Sequence, residues 1–332
     1  MVGVMELRKF GPDDEAAVRQ YVDIMNAVSD ADSPWDHELT FAGGQGRLRY
    51  GWDGDIPESF LIYVDGEPVG YANYFVPTWD NQHLAWTNIQ VHPEHRRRGH
   101  GSAVIESFVE RARADGKRTI GSDGWDSPRT LAFAERHGFT LAGIGVCRRQ
   151  ILADVDWAVI EALHKEAAGH AAAYDLERTL GPSRPEALPE LAEITAAIND
   201  APTDDLDFED EVFTVERVAR YESAQASRGH LLHRLVARER DTGRPAGQSI
   251  VTVDLERPTL GEQHDTSVMR EHRGHRLGLY LKTAMLLWLR EDQPQLVSID
   301  TGNAESNAYM IAINEQLGYR VMDRELELQR SL

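Results

Sequence analysis

One stretch of this chain occurs twice, and that constrains its fold more than any other feature. Leu84–Ser102 and Gly261–Gly278 each run from a strand-like segment through an arginine-rich, glycine-containing turn into a helix. Arg96 and Arg273 stand 177 residues apart, as do Gly70 and Gly247. The two glycines lie in segments that read as hairpins, Phe60–Tyr74 around Asp65-Gly66 and then His233–Val251. Ala132–Phe139 matches Ala312–Tyr319 at an offset of 180. Gly11-Pro12 matches Gly181-Pro182 ahead of the first helix of each half. A period this long means a duplicated domain and not a solenoid. The 332 residues fit a prior of about two domains.

Each half reads in the order strand, helix, hairpin strands, turn and helix, strand, helix, strand. In the first half this gives strand 4–10, helix 13–26, a polar aromatic loop around Ser33–Asp36, the hairpin and the arginine turn. Helix 102–115 follows, then a strand, helix and strand from Arg118 to Ile151. Asp156–Ala168 reads as a connecting helix with Trp157, Ile160 and Leu163 on one face. Strand 173–180 opens the second half. Ser183-Arg184-Pro185-Glu186 then has the spacing of a capping box for a helix over 188–198. The run Leu279–Leu289 reads as the buried face of a helix. The expected fold is α/β, a mixed sheet with helices on both faces. The expected domains are 1–153 and 170–332, with a connecting helix over 154–169, packed as a pseudo-dimer.

The chain carries 55 acidic against 35 basic residues, a formal net charge of −20. That excludes broad nucleic-acid binding through a basic footprint. A cationic small-molecule partner is compatible with the balance, as is solubility alone. The sharpest acidic run, Asp204–Glu211, reads either as a solvated loop or as part of an acceptor site. No apolar run is long enough to cross a bilayer, and the first residues show no signal-peptide pattern. The single cysteine, Cys147, leaves no internal disulfide and fits a reducing compartment. The expected location is the cytoplasm.

An arginine–glycine turn entering a helix aims successive backbone N–H groups, and the positive helix end, at one point suited to a phosphate or pyrophosphate. The first turn supplies Arg96, Arg97, Arg98, Gly99, His100, Gly101 and Ser102, and the second Arg273, Gly274, His275, Arg276, Leu277 and Gly278. Neither ends in Gly-Lys-Ser/Thr, which excludes a Walker loop. His92, His95 and His100 hint at a metal cluster, but no further ligand set accompanies them. Charge support for phosphate is the preferred reading, and no metal is expected.

These residues resemble the GNAT superfamily, the acyl-CoA-dependent N-acetyltransferases, in a tandem form similar in architecture to mycothiol synthase. The family's hallmark, Arg/Gln-x-x-Gly-x-Gly/Ala, is met by Arg96–Gly101. Arg273–Gly278 departs from it at Arg276, which stands where the first glycine belongs. The resemblance implies acetyl-CoA as co-substrate. It places backbone contacts near Gln90 and Val91 in the first half and near Val268 and Met269 in the second. Asn307, with Asn303 in the same segment, would contact the pantetheine arm; Ser127 is the first-half counterpart of Asn307. Many members carry an acidic tyrosine four residues before the glycine of a Gly-Phe or Gly-Tyr pair. Here those positions are Ala134 and Asn314.

A base in this family tends to sit earlier on the fourth strand. The second half carries Glu262, His264 and Asp265 there, whereas Leu84–Val91 has neither carboxylate nor histidine. By the strand period of two, Glu262 and His264 share a face and Asp265 opposes them, unless a bulge reverses it. The implied function is acetyl transfer to the amine of a small molecule, directly in a ternary complex, with the second half catalytic. The alternatives are a non-enzymatic acyl-CoA sensor or scaffold, which the missing tyrosines would suit, and a protein N-acetyltransferase. An acceptor pocket is expected at the Ser33–Asp36 and Asp204–Phe213 loops. The expected assembly is a monomer with an internal pseudo-dimer, or a homodimer, without membrane or nucleic-acid partners.

Overall fold

In the computed structural model, which describes residues 4–332, Asp65 and Gly66 both lie in the left-handed region, with φ of +51° and +88°. That is the backbone of a two-residue type I′ turn, whose twist matches the strands it joins. The first half runs β1 (Met5–Phe10), α1 (Glu15–Asp32), α2 (Phe41–Tyr50), β2 (Glu58–Val64), β3 (Glu67–Phe75), β4 (Leu84–Val91), α3 (His100–Ala114), β5 (Thr119–Trp125), α4 (Pro128–Arg136) and β6 (Thr140–Ile151). The second runs α5 (Trp157–His170), β7 (Tyr174–Leu180), α6 (Leu188–Thr195), α7 (Val215–Ser227), β8 (His230–Glu239), β9 (Pro245–Asp254), β10 (Leu260–Val268), α8 (Leu277–Asp292), β11 (Ser298–Ala304), α9 (Ala308–Gln316) and β12 (Arg320–Ser331). Among the described residues no helix is long and apolar enough to cross a membrane.

The compact units do not follow the two sequence halves. The first unit joins the chain up to Gly145 with Thr203–Asp210 and Asp323–Leu332; the second joins Val146–Pro202 with Glu211–Met322. In the first, the strands lie in the order β1-β2-β3-β4-β5-β12. Its last member is the chain's C-terminal strand, antiparallel to β5 from Glu325↔Trp125 to Ser331↔Thr119. In the second, the order is β6-β11-β10-β9-β8-β7. Each sheet is thus closed by the final strand of the opposite half.

Each sheet has a helix layer on both faces, as mixed sheets of this class require. In the first unit Val104, Ile105, Phe108 and Val109 of α3 pack with Ile62, Ala72, Ile120, Leu326 and Leu328. On the other face α1 sets Val18, Tyr21 and Val22 against Leu61, Tyr63 and Tyr71. In the second unit α8 and Ile160 of α5 cover Leu235, Val251, Val253 and Ile299. Leu191 and Ile194 of α6 and Val218 of α7 cover Val236.

Two local expectations fail for identifiable reasons. The loop after α1 contains a helix, α2, although it carries Gly43, Gly44 and Gly46. Thr40 caps it by accepting from the Gly43 N–H. Gly44 lets it approach α1 closely, since a Cβ there would lie 2.8 Å from Val22 Cγ2. The capping box at Ser183–Glu186 does not form. Ser183 donates its N–H and hydroxyl to Glu222, at 2.6 and 2.8 Å, and a short 3₁₀ turn over Pro185–Ala187 leads into α6.

Candidate active site

Both units open their sheet at the same place. Parallel pairing of β4 with β5 stops at Thr87↔Ser122, and that of β10 with β11 at Glu262↔Asp300, although β4 continues to Val91 and β10 to Val268. Beyond those pairs the strands diverge and leave a slot. On the opposite edge Gly70 and Gly247 hold β3 and β9 close to their neighbours. A Cβ at either would lie 2.6 Å from a carbonyl oxygen, that of Gln90 or of Ser267.

At the end of each slot is a cradle. Side chains cap α1, α2, α4, α5, α7 and α9, but α3 and α8 have no side-chain cap and start on left-handed residues. Their first-turn N–H groups are therefore left for a ligand, at the positive end of the helix dipole. The two loops share one backbone with the residues exchanged. Positive φ occurs at Arg97 (+63°) and Gly99 (+89°) in the first, and at Gly274 (+86°) and Arg276 (+54°) in the second. The departure from the glycine pattern at Arg276 is thus a non-glycine residue held in a glycine conformation, with its guanidinium paired to Glu166.

The first arginine of each turn faces away from the cradle. Arg96 makes a bidentate pair with Asp32, both contacts at 2.8 Å, and its Nε donates to the Val91 carbonyl at 2.9 Å. Arg273 repeats this with Asp200 (2.6 Å) and the Val268 carbonyl (3.1 Å). Arg96 braces its turn against the end of α1, and Arg273 against the short 3₁₀ segment that follows α6. Arg97 is exposed and, among the described residues, has no hydrogen-bond or ion-pair partner; Arg98 donates to the Glu94 carbonyl at 2.9 Å. Ser102 meets His137 Nε2 at 2.9 Å, and Gln90 donates to Asn88 Oδ1 at 3.0 Å. Burial, with His95 and Arg98 nearby, lowers the pKa of His100.

In the second unit a cleft of about 660 Å³ links the cradle to the slot. Val268, Arg273, Gly274, Arg276, Leu277, Gly278, Asn303 and Asn307 line it, as do His264 and Asp265. Three predicted residues lie outside it. Met269 donates its N–H to the Ala246 carbonyl at 2.9 Å and packs on the α6 cluster. His275 sits against the Tyr174 ring. Glu262 is exposed and precedes the slot, within 3.5 Å of His264 Nε2. A bulge between Gln263 and Thr266 accounts for the rest. The extra residue breaks the alternation, so His264 and Asp265 both reach the cleft. His264 hydrogen-bonds the Tyr221 hydroxyl through Nδ1 and meets Thr252 Oγ1 at 3.2 Å through Nε2. Burial raises the pKa of Asp265, against the pull of His264, Arg234 and Arg217, and burial together with the Asp265 charge pushes that of Tyr221 well up. At the tyrosine position, Asn314 is wholly buried and donates to Asn303 Oδ1 at 2.7 Å.

The first unit gathers carboxylates that sequence reasoning missed, because they come from other strands. The Trp86 indole N–H donates to Asp123 of β5, and β12 sets Glu327 and Glu325 opposite Asp123 and Trp125. Burial pushes Asp123 up to about 6, opposing the hydrogen bonds from Trp86 and Asn88. Glu325 rises to about 8 through burial and then the charges of Asp123, Glu327 and Asp36; burial and Asp123 also raise Glu327. Among the described residues no basic side chain hydrogen-bonds to any of the three. Aromatic rings flank them, Trp35 against Trp125 (5.1 Å between centroids) and Trp86 against Phe208 (5.7 Å). The two loops expected to form an acceptor pocket, around Ser33–Asp36 and within Asp204–Phe213, therefore both contribute here.

Residues 22–139 match the model of the acetyltransferase (GNAT) family. The mycothiol acetyltransferase of Stackebrandtia nassauensis is 38% identical over 114 residues, covering 33% of this chain and 36% of that protein. The mycothiol acetyltransferase of Kineococcus radiotolerans is 41% identical over 97 residues, covering 29% and 30%. The matches thus span about a third of the length of these curated relatives. Over the whole chain the fold is similar to a solved tandem GNAT protein from the clavulanic acid biosynthesis pathway. The TM-score is 0.81 at 24% identity, covering 99% of this chain and 98% of the other.

Proposed function

We propose that this chain, which matches the GNAT acetyltransferase family over residues 22–139 and is similar in fold to a tandem GNAT protein, transfers an acetyl group from acetyl-CoA to a small amine and does so in its second unit. One observation carries this reading. A single cleft there runs from an uncapped phosphate cradle to a half-buried carboxylate, Asp265, turned inward by a bulge. The cradle of Gly274–Gly278 would take the diphosphate, and Asn303 and Asn307 the pantetheine arm. When bound, acetyl-CoA supplies an acyl group activated as a thioester.

The chain's own groups do the rest. An amine attacks only after losing its proton, and a carboxyl whose pKa is raised toward the working pH removes it better than an ordinary one. Asp265 has that property by burial. His264, fixed between Tyr221 and Thr252, orients the bulge. The carboxylate also attracts the acceptor while it is still a cation, which fits the net charge of −20.

The test is Asp265→Asn, assayed by CoA release against a panel of amines that includes the acceptor used by the mycothiol acetyltransferases. Turnover should fall ~10²–10⁴-fold, the usual contribution of a general base, while acetyl-CoA affinity by calorimetry hardly changes. A second reading, catalysis in the first unit, is favoured by the raised pKa values of Asp123 and Glu325 beside an equivalent cradle. Loss of turnover in Asp123→Asn with normal turnover in Asp265→Asn would select it.

A further inference from the structure

Lys282 has no place in the chemistry described so far. It interrupts the apolar face of α8 and is 2% exposed, yet it lines the second unit's cleft. Its Nζ donates to Gln263 Oε1 at 3.3 Å and lies 5.2 Å from the centroid of the Tyr319 ring. The Gln263 amide nitrogen is committed to the Ile250 carbonyl at 2.7 Å, so its oxygen is what it presents to the lysine.

Depth locates this amine. From Val268, next to the cradle, back to Gln263 is five strand residues, ~17 Å. α8 runs back along the slot, and Lys282 comes one turn after Gly278. Its Nζ is bonded to Gln263, the residue at which the bulge that carries Asp265 begins. The family's tyrosine is missing at this depth, and Asn314, in its place, spends its N–H on Asn303.

We propose that Lys282 is the proton donor to the leaving thiolate. This rests on the acetyl-transfer reading of the same cleft. As the acceptor nitrogen bonds to the acetyl carbon and the carbon–sulfur bond breaks, the sulfur keeps the bonding pair and takes a proton from Lys282 Nζ. Before attack the acceptor gives its first proton to Asp265, which passes it to water; the second, lost by the nitrogen as the amide forms, goes to Asp265 in turn. Lys282 then regains a proton from water and Asp265 returns one.

The surroundings suit the role. Burial alone lowers the lysine to about 7, so it gives its proton up readily to a thiolate, whose free pKa is about 8.5. The Tyr319 ring, its own hydroxyl pushed up by burial and the charge of Asp300, lies against it, while His264 and Asp265 of β10 line the same cleft. His164 of α5 is bonded to Thr283 on the neighbouring position of α8.

Three measurements on the full chain test this. Competitive labelling with acetic anhydride across pH, read by peptide mass spectrometry, should show Lys282 titrating near neutrality and protected by CoA. Lys282→Met should slow turnover of acetyl-CoA by ~10²-fold or more. It should slow an aryl thioester of the same acyl group far less, because that thiol leaves without a proton. Lys282→Arg should stay slow, since a guanidinium keeps its proton. Equal slowing with both donors, unchanged turnover in Lys282→Met, or an ordinary lysine titration would each overturn the proposal. The titration is read on the unaltered protein and does not depend on either variant folding. Failure of the unaltered chain to bind acetyl-CoA in calorimetry is a different result: it removes the acetyl-transfer reading and this inference with it.

Discussion

Gly99 has no atom within 4 Å of where its Cβ would stand, so its φ of +89° is the physical reason for glycine there. Gly99→Ala should cost about 1 kcal/mol through backbone strain alone, a fall of a few degrees in Tm by calorimetry. At Gly101 a Cβ would meet Phe133 at an ordinary 3.5 Å. Gly101→Ala should leave Tm nearly unchanged, since that Cβ meets only the Phe133 and Val91 side chains. A Tm loss at Gly101 matching that at Gly99 would contradict the backbone account. Arg276 bears the same left-handed conformation and is held there by Glu166. The sequence exposed the irregularity at Arg276 but not its meaning, because the loop's φ values are set by the fold around it. Nor could it assign Arg96 and Arg273, whose partners Asp32 and Asp200 are separated from them by 64 and 73 residues. Lys282 lies inside the run that read as a buried helix face, and only the cleft gives it a role.

At the level of elements, the bulge in β10 decided between two readings of Glu262, His264 and Asp265 that strand periodicity left open. Sequence alone offers no signature for a bulge at His264-Asp265, because neither residue is glycine. The hairpin at Asp65-Gly66 was legible for the opposite reason: its turn chemistry is local. The face shared by β5 and β12 makes its own prediction. Glu325 and Asp123 bind protons more tightly folded, at about 8 and about 6, than their ordinary values of 4.5 and 3.8. For groups raised in this way the contribution to stability is fully present below the unfolded pKa and is lost as pH rises through the folded one. Stability should therefore fall between about pH 4 and 8. Glu325→Gln should flatten that slope and add about 1–3 kcal/mol near pH 8, with little effect near pH 4, each tenfold in proton affinity being worth about 1.4 kcal/mol. Denaturant midpoints at several pH values check it. A slope unchanged by the substitution would mean that Glu325 is not the group responsible.

For the whole molecule, the duplication, the class of sheet and the two phosphate cradles were all legible, because each follows from local pattern and its repetition. The composition of the units was not. Residues 1–153 look self-sufficient in sequence, yet the first unit takes its closing strand from residues 323–332. Leu326 and Leu328 are 2% and 4% exposed within that unit's core. Burying each is worth about 1.5–3 kcal/mol, a large share of the ~5–15 kcal/mol that holds a domain folded. The strand also satisfies the outer backbone edge of β5 through seven register positions. Deleting Asp323–Leu332 should therefore unfold the first unit, although the deletion begins 178 residues beyond Gly145, where the unit's main segment ends (323 − 145). Hydrogen exchange read by mass spectrometry should show β2–β5 losing their protection. Residues 1–153 produced alone should show the same loss, and adding a peptide of residues 323–332 should restore part of it. Full protection of β2–β5 in the truncated chain would mean that the first sequence half supplies all the structure it needs, and that the exchange of closing strands adds nothing to its stability.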